Sequence, residues 1–285
     1  MMIKDCPYCG KPGNLYFTVY SRRYNRCIAC DLIYGQTLES YGDVVATYRE
    51  GYFDRYSGEQ LAGQRLRLYD HILELITGNQ GAGRLLDLGT GCGFFLVAAR
   101  KRQWEVKGVE PSIQSVEVAR RQNGLDVFAG TLQEYAENSQ FDVITFINVL
   151  DHSIWPWQEI DRAKELLRPG GLIYLRFPNG FLHSRIYRMA HKHGLASSVN
   201  KFLVFHKHCF TARYISRLFH DHGFVQTTIL NSPPSEGDPH KLFRGPISAT
   251  YVKRLIYLIA KCTEKISRRQ LFLGTSLEVT AIKPY

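Results

Sequence analysis

Apolar segments alternate with amphipathic ones from residue 84 to the end of the chain. Short apolar runs predict seven strands, at 84–89, 104–110, 125–129, 141–148, 171–177, 224–231 and 276–283. Because helical segments separate most of these strands, the pattern is typical of an α/β protein with a doubly wound sheet. A helix is predicted before the sheet, with the capping-box sequence Ser57-Gly-Glu-Gln60 at its start and Leu61, Leu68, Ile72 and Leu75 facing the core.

The first 36 residues follow a different pattern, with two short predicted strands at 16–20 and 24–28. Four of the seven cysteines lie here, as two C-x2-C pairs separated by 17 residues: Cys6 with Cys9, and Cys27 with Cys30. This spacing predicts a zinc ribbon in which four thiolates surround one structural zinc ion. Disulfide pairing is the alternative, disfavoured because no secretion signal precedes the cysteines. Removal of the metal is predicted to unfold this module.

Composition narrows the class of protein. The chain has 285 residues, and 45% of them are hydrophobic, which is enough for a substantial core. No apolar run of about 18 residues and no charged leader segment is visible, so a cytoplasmic protein is expected. The formal net charge of +10 lies at the two ends: residues 1–30 carry five basic and one acidic residue, and residues 241–285 carry nine and two.

A glycine-rich turn follows the first strand of the predicted sheet. The sequence Leu86-Asp-Leu-Gly-Thr-Gly-Cys-Gly93 runs from a buried strand into a helix, and such a turn lets the backbone approach a ligand closely. The next strand ends in Glu110, whose carboxylate can accept both hydroxyl groups of a ribose. Since Phe94 replaces the third glycine of the G-x-G-x-x-G pattern, an adenosine ligand other than NAD is favoured.

These residues resemble the class I S-adenosylmethionine-dependent methyltransferases over residues 57–285. The resemblance also rests on Gly108-Val-Glu-Pro111, Phe141-Asp-Val-Ile144 and Leu166-Leu-Arg-Pro-Gly-Gly-Leu172. It implies a Rossmann-like sheet of seven strands with the last strand antiparallel. It further implies a cofactor site in which Asp87 and the turn residues Gly89, Gly91 and Gly93 hold the methionine end, Glu110 holds the ribose, and Leu132 and Gln133 meet the adenine.

The whole chain is similar to a bacterial subgroup in which a four-cysteine ribbon precedes such a domain. The matching segments are Tyr48-Arg-Glu-Gly-Tyr-Phe53, Leu150-Asp151-His152 and His206-Lys-His-Cys-Phe-Thr211. Thr211 is predicted to cap a helix that runs to about His222. Methylation of sugars or glycoconjugates is associated with many members of this subgroup.

A candidate general base lies just after the fourth strand. His152 has a side chain whose usual pKa is close to neutrality, and Asp151 precedes it directly. A packing role is the alternative for His152. His183, His206 and His208 are weaker candidates, and the loop residues Trp155 and Trp157 either stack on an acceptor or close the core.

The chain is divided into a ribbon at 1–36, a connector at 37–56 and a methyltransferase domain at 57–285. Within the domain, 180–209 is predicted to be a substrate cap, and 246–269 a basic amphipathic helix. Its apolar stripe is expected to pack on the fold, with contact to a membrane surface or a lipid-linked substrate as the alternative. The stripe consists of Tyr251, Leu255, Leu258, Ile259, Cys262 and Ile266.

These features together predict a methyltransferase that uses S-adenosylmethionine and carries structural zinc. The expected reaction is O-methylation of a small, sugar-like or lipid-linked acceptor. Two alternatives stay open, namely an RNA methyltransferase whose ribbon and basic ends hold phosphate, and a cofactor-binding protein without turnover.

Overall fold

The structure is a computed structural model that describes residues 4–37, 40, 42–49, 53, 65–138, 140–236 and 246–285. The predicted capping box at Ser57 and the predicted core residue Leu61 lie outside these ranges. The strands are β1 Gly13–Val19, β2 Arg22–Cys27, β3 Ile33–Gly35, β4 Arg84–Leu88, β5 Glu105–Glu110, β6 Val127–Ala129, β7 Phe141–Ile147, β8 Leu167–Pro178, β9 His208–Cys209, β10 Val225–Asn231 and β11 Ser276–Ile282. The helices are α1 at 42–49, α2 Leu66–Gln80, α3 Phe94–Lys101, α4 Ile113–Arg121, α5 Pro156–Leu166, α6 Gly180–Lys192, α7 Ala196–Val199, α8 Ala212–Asp221 and α9 Pro246–Ile266, and two 3-10 turns span Leu150–His152 and Asn200–Phe202.

The main sheet contains all seven strands that the apolar pattern predicts, in the order β10-β11-β8-β7-β4-β5-β6. Pairing is parallel from β8 through β7, β4 and β5 to β6, while β11 runs antiparallel to both β8 and β10. The prediction of a Rossmann-like sheet with an antiparallel last strand is therefore confirmed. The carboxyl ends of β4, β5 and β7 lie side by side at one edge, where open α/β sheets bind ligands.

Two hydrophobic cores cover the two faces of this sheet. Along β8, Ile173 and Leu175 belong to one core, and Leu172 and Tyr174 belong to the other, since successive side chains of a strand point to opposite faces. Helices α5 and α8 pack against the first core, and α2, α3 and α4 pack against the second. This double coverage explains why the central strands are continuously apolar rather than alternating.

The cysteine-rich module forms a second sheet of four strands, in the order β1-β2-β3-β9. Its fourth strand comes from the segment predicted as a substrate cap, because Ile33 pairs with Cys209 and Tyr34 with His208. The two parts are also joined by side chains: the Tyr187 hydroxyl donates to the Thr18 carbonyl at 2.5 Å. The proposed domain boundaries stay predictions, but the ribbon and residues 180–209 share one sheet.

Thr211 begins α8 and connects that helix to the ribbon. Its hydroxyl oxygen accepts the Tyr214 N–H at 3.1 Å, as predicted for the N-cap, and its hydroxyl also lies 2.8 Å from Asp31 Oδ2, to which it donates.

We expect Thr211→Ala to lower the free energy of unfolding by about 2 kcal/mol, because a cap and a buried hydrogen bond are lost together. Thr211→Ser keeps the hydroxyl and is the matched control in urea denaturation. Equal midpoints for the Ala and Ser variants would contradict this role.

The orientation of α9 is opposite to the one the sequence predicts. Its apolar stripe was expected to pack on the fold, but Leu255 and Leu258 are each 60% exposed and Ile266 is 83% exposed. The helix instead docks through Ala260 and Glu264, which are both buried. Among the described residues, no helix is both long and apolar enough to cross a bilayer.

Candidate active site

The glycine-rich turn after β4 has the predicted strand-turn-helix form. Gly89 and Gly91 adopt φ angles of 68° and 56°, a region that glycine enters without steric cost. A Cβ atom at Gly89 would lie 2.5 Å from Val149 Cγ2, so no side chain fits there. The turn therefore presents bare backbone at the sheet edge, where a ligand can approach it.

Glu110 ends β5 next to this turn. Its Oε2 accepts the Gly91 N–H at 2.8 Å, and its Oε1 accepts the Ser112 N–H at 2.9 Å. A carboxylate offers about four acceptor positions, so each oxygen retains one for a hydroxyl donor. The two backbone bonds fix the carboxylate in the orientation in which it meets a ligand.

Two buried carboxylates lie at this edge of the sheet. Burial raises the pKa of Glu110 to about 7, although the N–H bonds from Ser112 and Gly91 act in the opposite direction. Burial likewise raises the pKa of Asp87 to about 7, and the Thr145 hydroxyl donates to Asp87 at 2.6 Å. A ligand that donates hydrogen bonds or carries positive charge would stabilise the ionised forms.

A pocket opens at the carboxyl ends of β4, β5 and β7, and helix α1 forms part of its wall through Val44, Val45 and Tyr48. Tyr48 belongs to the aromatic segment singled out in the sequence. Of the predicted cofactor residues, Gly89, Glu110 and Leu132 line the pocket, whereas Asp87, Gly91, Gly93 and the exposed Gln133 do not.

A carboxylate and two imidazoles meet at the pocket wall beyond β7. The ring centroids of His152 and His206 are 3.8 Å apart, and His206 Nδ1 is hydrogen-bonded to Asp151 Oδ2. His152 lines the pocket, and its burial lowers its pKa to about 4, so its ring is neutral at pH 7. The other oxygen of Asp151, Oδ1, is buried and has no hydrogen-bond partner within the described part of the chain.

The low pKa leaves the His152 ring free to accept a proton, but it makes the ring a weaker base than the near-neutral histidine that the sequence analysis expected. Burial alone would raise the pKa of Asp151, but the neighbouring His206 and His152 lower it, so the carboxylate is ionised. The donor atoms of the three residues lie within 4.8 Å of one another, a set that can also hold a divalent cation. The same geometry, with Asp151 bonded to His206 and His152 facing the pocket, also fits acid–base chemistry.

The other two candidate histidines have structural positions. His183 is buried, with Nε2 2.9 Å from the Thr275 carbonyl oxygen and Nδ1 accepting the Val204 N–H. His208 is buried in β9, within the ribbon sheet. The sequence pattern grouped His206 with His208, but only the His206 ring is hydrogen-bonded to Asp151 and packs on His152 among the described contacts.

The two tryptophans lie at the start of a helix rather than in the predicted loop. Trp155 is the N-cap of α5 and Trp157 lies in its first turn, because Pro156 starts the helix. The Trp157 ring lies 5.7 Å from that of Tyr8, so it packs between the domain and the ribbon. Trp157 therefore has the core-closing role that was one of its two predicted alternatives.

Two residues at the site were missed in the sequence. Arg176 is buried on β8 and donates to Asn148 Oδ1 at 2.6 Å, which holds the pocket-lining Asn148 at its positive φ of 58°. Glu159 lines the pocket from α5, and burial raises its pKa to about 7. An acid in the first turn of a helix is commonplace, so only the fold reveals that this one faces the pocket.

The four ribbon cysteines come together as their spacing predicts. Sγ of Cys6 lies 3.5 Å from that of Cys30, and Sγ of Cys9 lies 3.5 Å from that of Cys27, while the four donor atoms stay within 4.8 Å of one another. These separations exceed a disulfide bond of about 2 Å and approach the roughly 3.8 Å edge of a tetrahedral zinc–thiolate site. The Cys27 sulfur also accepts the N–H groups of Ala29 and Cys30, so the donor set fits a zinc ion.

Known proteins resemble this chain in sequence over its central part. A family model described as a methyltransferase domain matches residues 59–229. A ubiquinone biosynthesis O-methyltransferase from Actinobacillus pleuropneumoniae is 32% identical over 120 residues, which is 38% of this chain and 50% of that protein. The chain thus spans about half the length of the curated relative it matches.

Solved structures resemble the chain in fold. A SAM-dependent methyltransferase from Archaeoglobus fulgidus has a TM-score of 0.54 and 19% identity, covering 82% of this chain and all of its own. The 1,6-didemethyltoxoflavin-N1-methyltransferase of Burkholderia thailandensis has a TM-score of 0.54 and 13% identity, covering 95% of this chain and all of its own. At these identities the likeness shows the fold alone. The family match covers more than half of the residues, and the chain belongs to the methyltransferase-domain family.

Proposed function

We propose that the protein transfers a methyl group from S-adenosylmethionine to a hydroxyl oxygen of a small acceptor, with sugar-like and lipid-linked acceptors as the favoured classes. One observation carries the proposal: Glu110 and Gly89 of the glycine turn line the same pocket as His152. An adenosine-binding edge and a neutral base therefore face one space. The name of the matched O-methyltransferase agrees with a hydroxyl acceptor.

The residues at the carboxyl ends of β4 and β5 fit the cofactor. S-adenosylmethionine supplies, when bound, a methyl group on a positively charged sulfur. Glu110 accepts the ribose hydroxyls through its two remaining acceptor positions, and Leu132 packs on the adenine. Asp87 and the backbone of Gly89, Gly91 and Gly93 shape the methionine end, with Asp87 acting from behind the pocket wall.

The residues beyond β7 activate the acceptor hydroxyl. His152 would accept the proton of the acceptor hydroxyl at a ring nitrogen while that oxygen bonds to the methyl carbon, the carbon–sulfur bond breaks and S-adenosylhomocysteine leaves. Asp151 stabilises the positive charge that His152 then carries, since the two are neighbours in a buried site. His206 holds the Asp151 carboxylate in place through their hydrogen bond. The pocket wall of α1 limits the access of water.

The test of the cofactor site is Glu110→Gln, measured by calorimetry with S-adenosylhomocysteine. We expect affinity to fall about 10- to 100-fold, because a charged acceptor of two hydroxyls is lost. The affinity of the wild type is also expected to fall as the pH is lowered from about 8 to about 6. Binding favours the ionised Glu110 carboxylate, and below its pKa of about 7 the carboxyl group of the free protein must first lose a proton. The variant should show a smaller slope.

Glu105→Gln is the matched control, because Glu105 begins the same strand and its side chain is 72% exposed. This control should bind as the wild type does. A Glu110→Gln protein with unchanged affinity and unchanged pH slope would remove Glu110 from the cofactor site.

We further propose that the four ribbon cysteines hold one structural zinc ion. The support is the cluster of four thiols with separations close to those of a tetrahedral site. With four protein ligands no coordination position remains for a substrate, so the metal would act on the fold.

A further inference from the structure

Helix α9 carries a continuous apolar face that points to solvent. The side chains on this face recur at helical spacing, and none of them is buried. They are Tyr251, Val252, Leu255, Ile256, Leu258, Ile259, Cys262 and Ile266. An exposed face of this size on a single helix marks a contact surface rather than scattered surface residues.

The helix is fixed in this orientation by buried polar contacts on its opposite side. Glu264 Oε2 accepts the backbone N–H and the side-chain amide of Asn231, each at 2.8 Å. The same amide donates to the Ala260 carbonyl at 3.0 Å. Rotation of α9 to bury its apolar face would leave the buried Glu264 carboxylate without these donors, which is costly.

Cations border the apolar face and continue beyond the end of the helix. Lys261, Lys265, Arg268 and Arg269 line one surface pocket together with Leu230 and Glu264. Residues 241–285 contain nine basic and two acidic residues, and both acids, Glu264 and Glu278, are buried. The surface of this segment is therefore positively charged as well as apolar.

The positive charge of this segment indicates which kind of partner can bind the apolar face of α9. A twofold contact between two copies of this face would place the same cations opposite one another without exposed acids from the segment to offset them. A bilayer that contains anionic lipids offers the complementary surface: acyl chains for the apolar side chains and phosphate groups for the bordering lysines and arginines.

We propose that α9 is a membrane-surface element that lies in the plane of an anionic bilayer, with its apolar face in the headgroup–acyl boundary and its cations on lipid phosphates. The attachment is peripheral, and it needs neither cofactor nor acceptor. It would place the catalytic domain beside lipid-linked molecules.

The test is co-sedimentation of the full chain with phosphatidylcholine vesicles, with and without phosphatidylglycerol. Wild-type protein should be retained by the anionic vesicles at low salt, and less so as salt rises. The double variant Leu255→Asp, Leu258→Asp should lose retention. The triple variant Lys265→Gln, Arg268→Gln, Arg269→Gln should lower the partition coefficient about fivefold per cation, or roughly 100-fold in total.

The matched control is Arg22→Gln, Arg23→Gln, which removes exposed cations from the other basic end of the chain, in the ribbon hairpin. This variant should bind as the wild type does, and S-adenosylhomocysteine calorimetry should confirm that every variant is folded. Wild-type protein that stays in the supernatant, or a Leu255→Asp, Leu258→Asp variant that still binds, overturns the proposal. So does a dimer in sedimentation equilibrium that this double variant dissociates, because the face would then be a self-contact.

Discussion

Cys27→Ser is expected to unfold the ribbon sheet and to lower turnover at the same time. If the four cysteines hold zinc as proposed, removal of one ligand should cost more than about 4 kcal/mol of unfolding free energy, since a structural metal is a major source of stability in a module this small. Cys27 ends β2, and β2 pairs with β3, which in turn pairs with β9. Loss of the proposed metal should therefore loosen β9.

The effect on turnover follows from where β9 begins. His206 lies two residues before this strand, and the Lys207 carbonyl accepts the Gly35 N–H at 3.0 Å. A relaxed β9 would release His206 from Asp151 and disturb the charge beside His152. The expected outcome is a fall in kcat that follows the loss of zinc rather than a change in cofactor affinity.

Zinc content, urea denaturation and turnover, measured on the same preparations, check this expectation. Cys262→Ser makes the same chemical change at an exposed position on α9 and should leave all three unchanged. A Cys27→Ser protein with wild-type zinc content, denaturation midpoint and kcat would show that the cluster holds no structural metal. Gradual chelation of the wild type should produce the same parallel loss.

His152→Ala is expected to lower kcat by about 10²- to 10⁴-fold with cofactor affinity retained, because a positioned general base is removed. The assay is transfer of a labelled methyl group to a panel of hydroxyl acceptors, each paired with its amine analogue. Products are expected from the hydroxyl members. Methylation of amines alone would contradict the proposed reaction.

Companion variants separate the roles of the three neighbours. Asp151→Asn removes the negative charge that raises the pKa of His152, so that ring becomes a weaker base and kcat should fall, with Asn keeping the shape of the side chain. His206→Ala should have an intermediate effect as a positioning change. His220→Ala, at an 88% exposed histidine of α8, is the control. Unchanged kcat in His152→Ala with loss in His206→Ala would transfer the base role to His206.

The sequence predicts the main sheet well because its central strands β4, β7 and β8 are mostly buried apolar runs bounded by turns. Strand β4 is an example: it runs directly into glycines whose positive φ angles the structure confirms. The end of β5 at Glu110 is predicted for the same reason. These signals are local, so they can be detected in the sequence without knowledge of tertiary contacts.

Other features depend on contacts between distant segments. Strand β9 has two residues, too few for any periodic pattern, and it exists because β3 offers an edge. Periodicity predicts that α9 has an apolar face, but the buried contacts of Glu264 with Asn231 decide which face docks. The meeting of His152 with His206 likewise follows from topology, since more than 50 residues separate them in the chain.

The pairing of β3 with β9 also bears on the order of folding. The ribbon leaves the ribosome before the catalytic domain, but the strand that completes its sheet, β9, is synthesised about 175 residues after β3. The ribbon sheet therefore lacks its fourth strand until most of the main sheet has emerged. The β3–β9 pairing joins the ribbon to a segment of the catalytic domain across a very large sequence separation, so the two parts should mature as one cooperative unit.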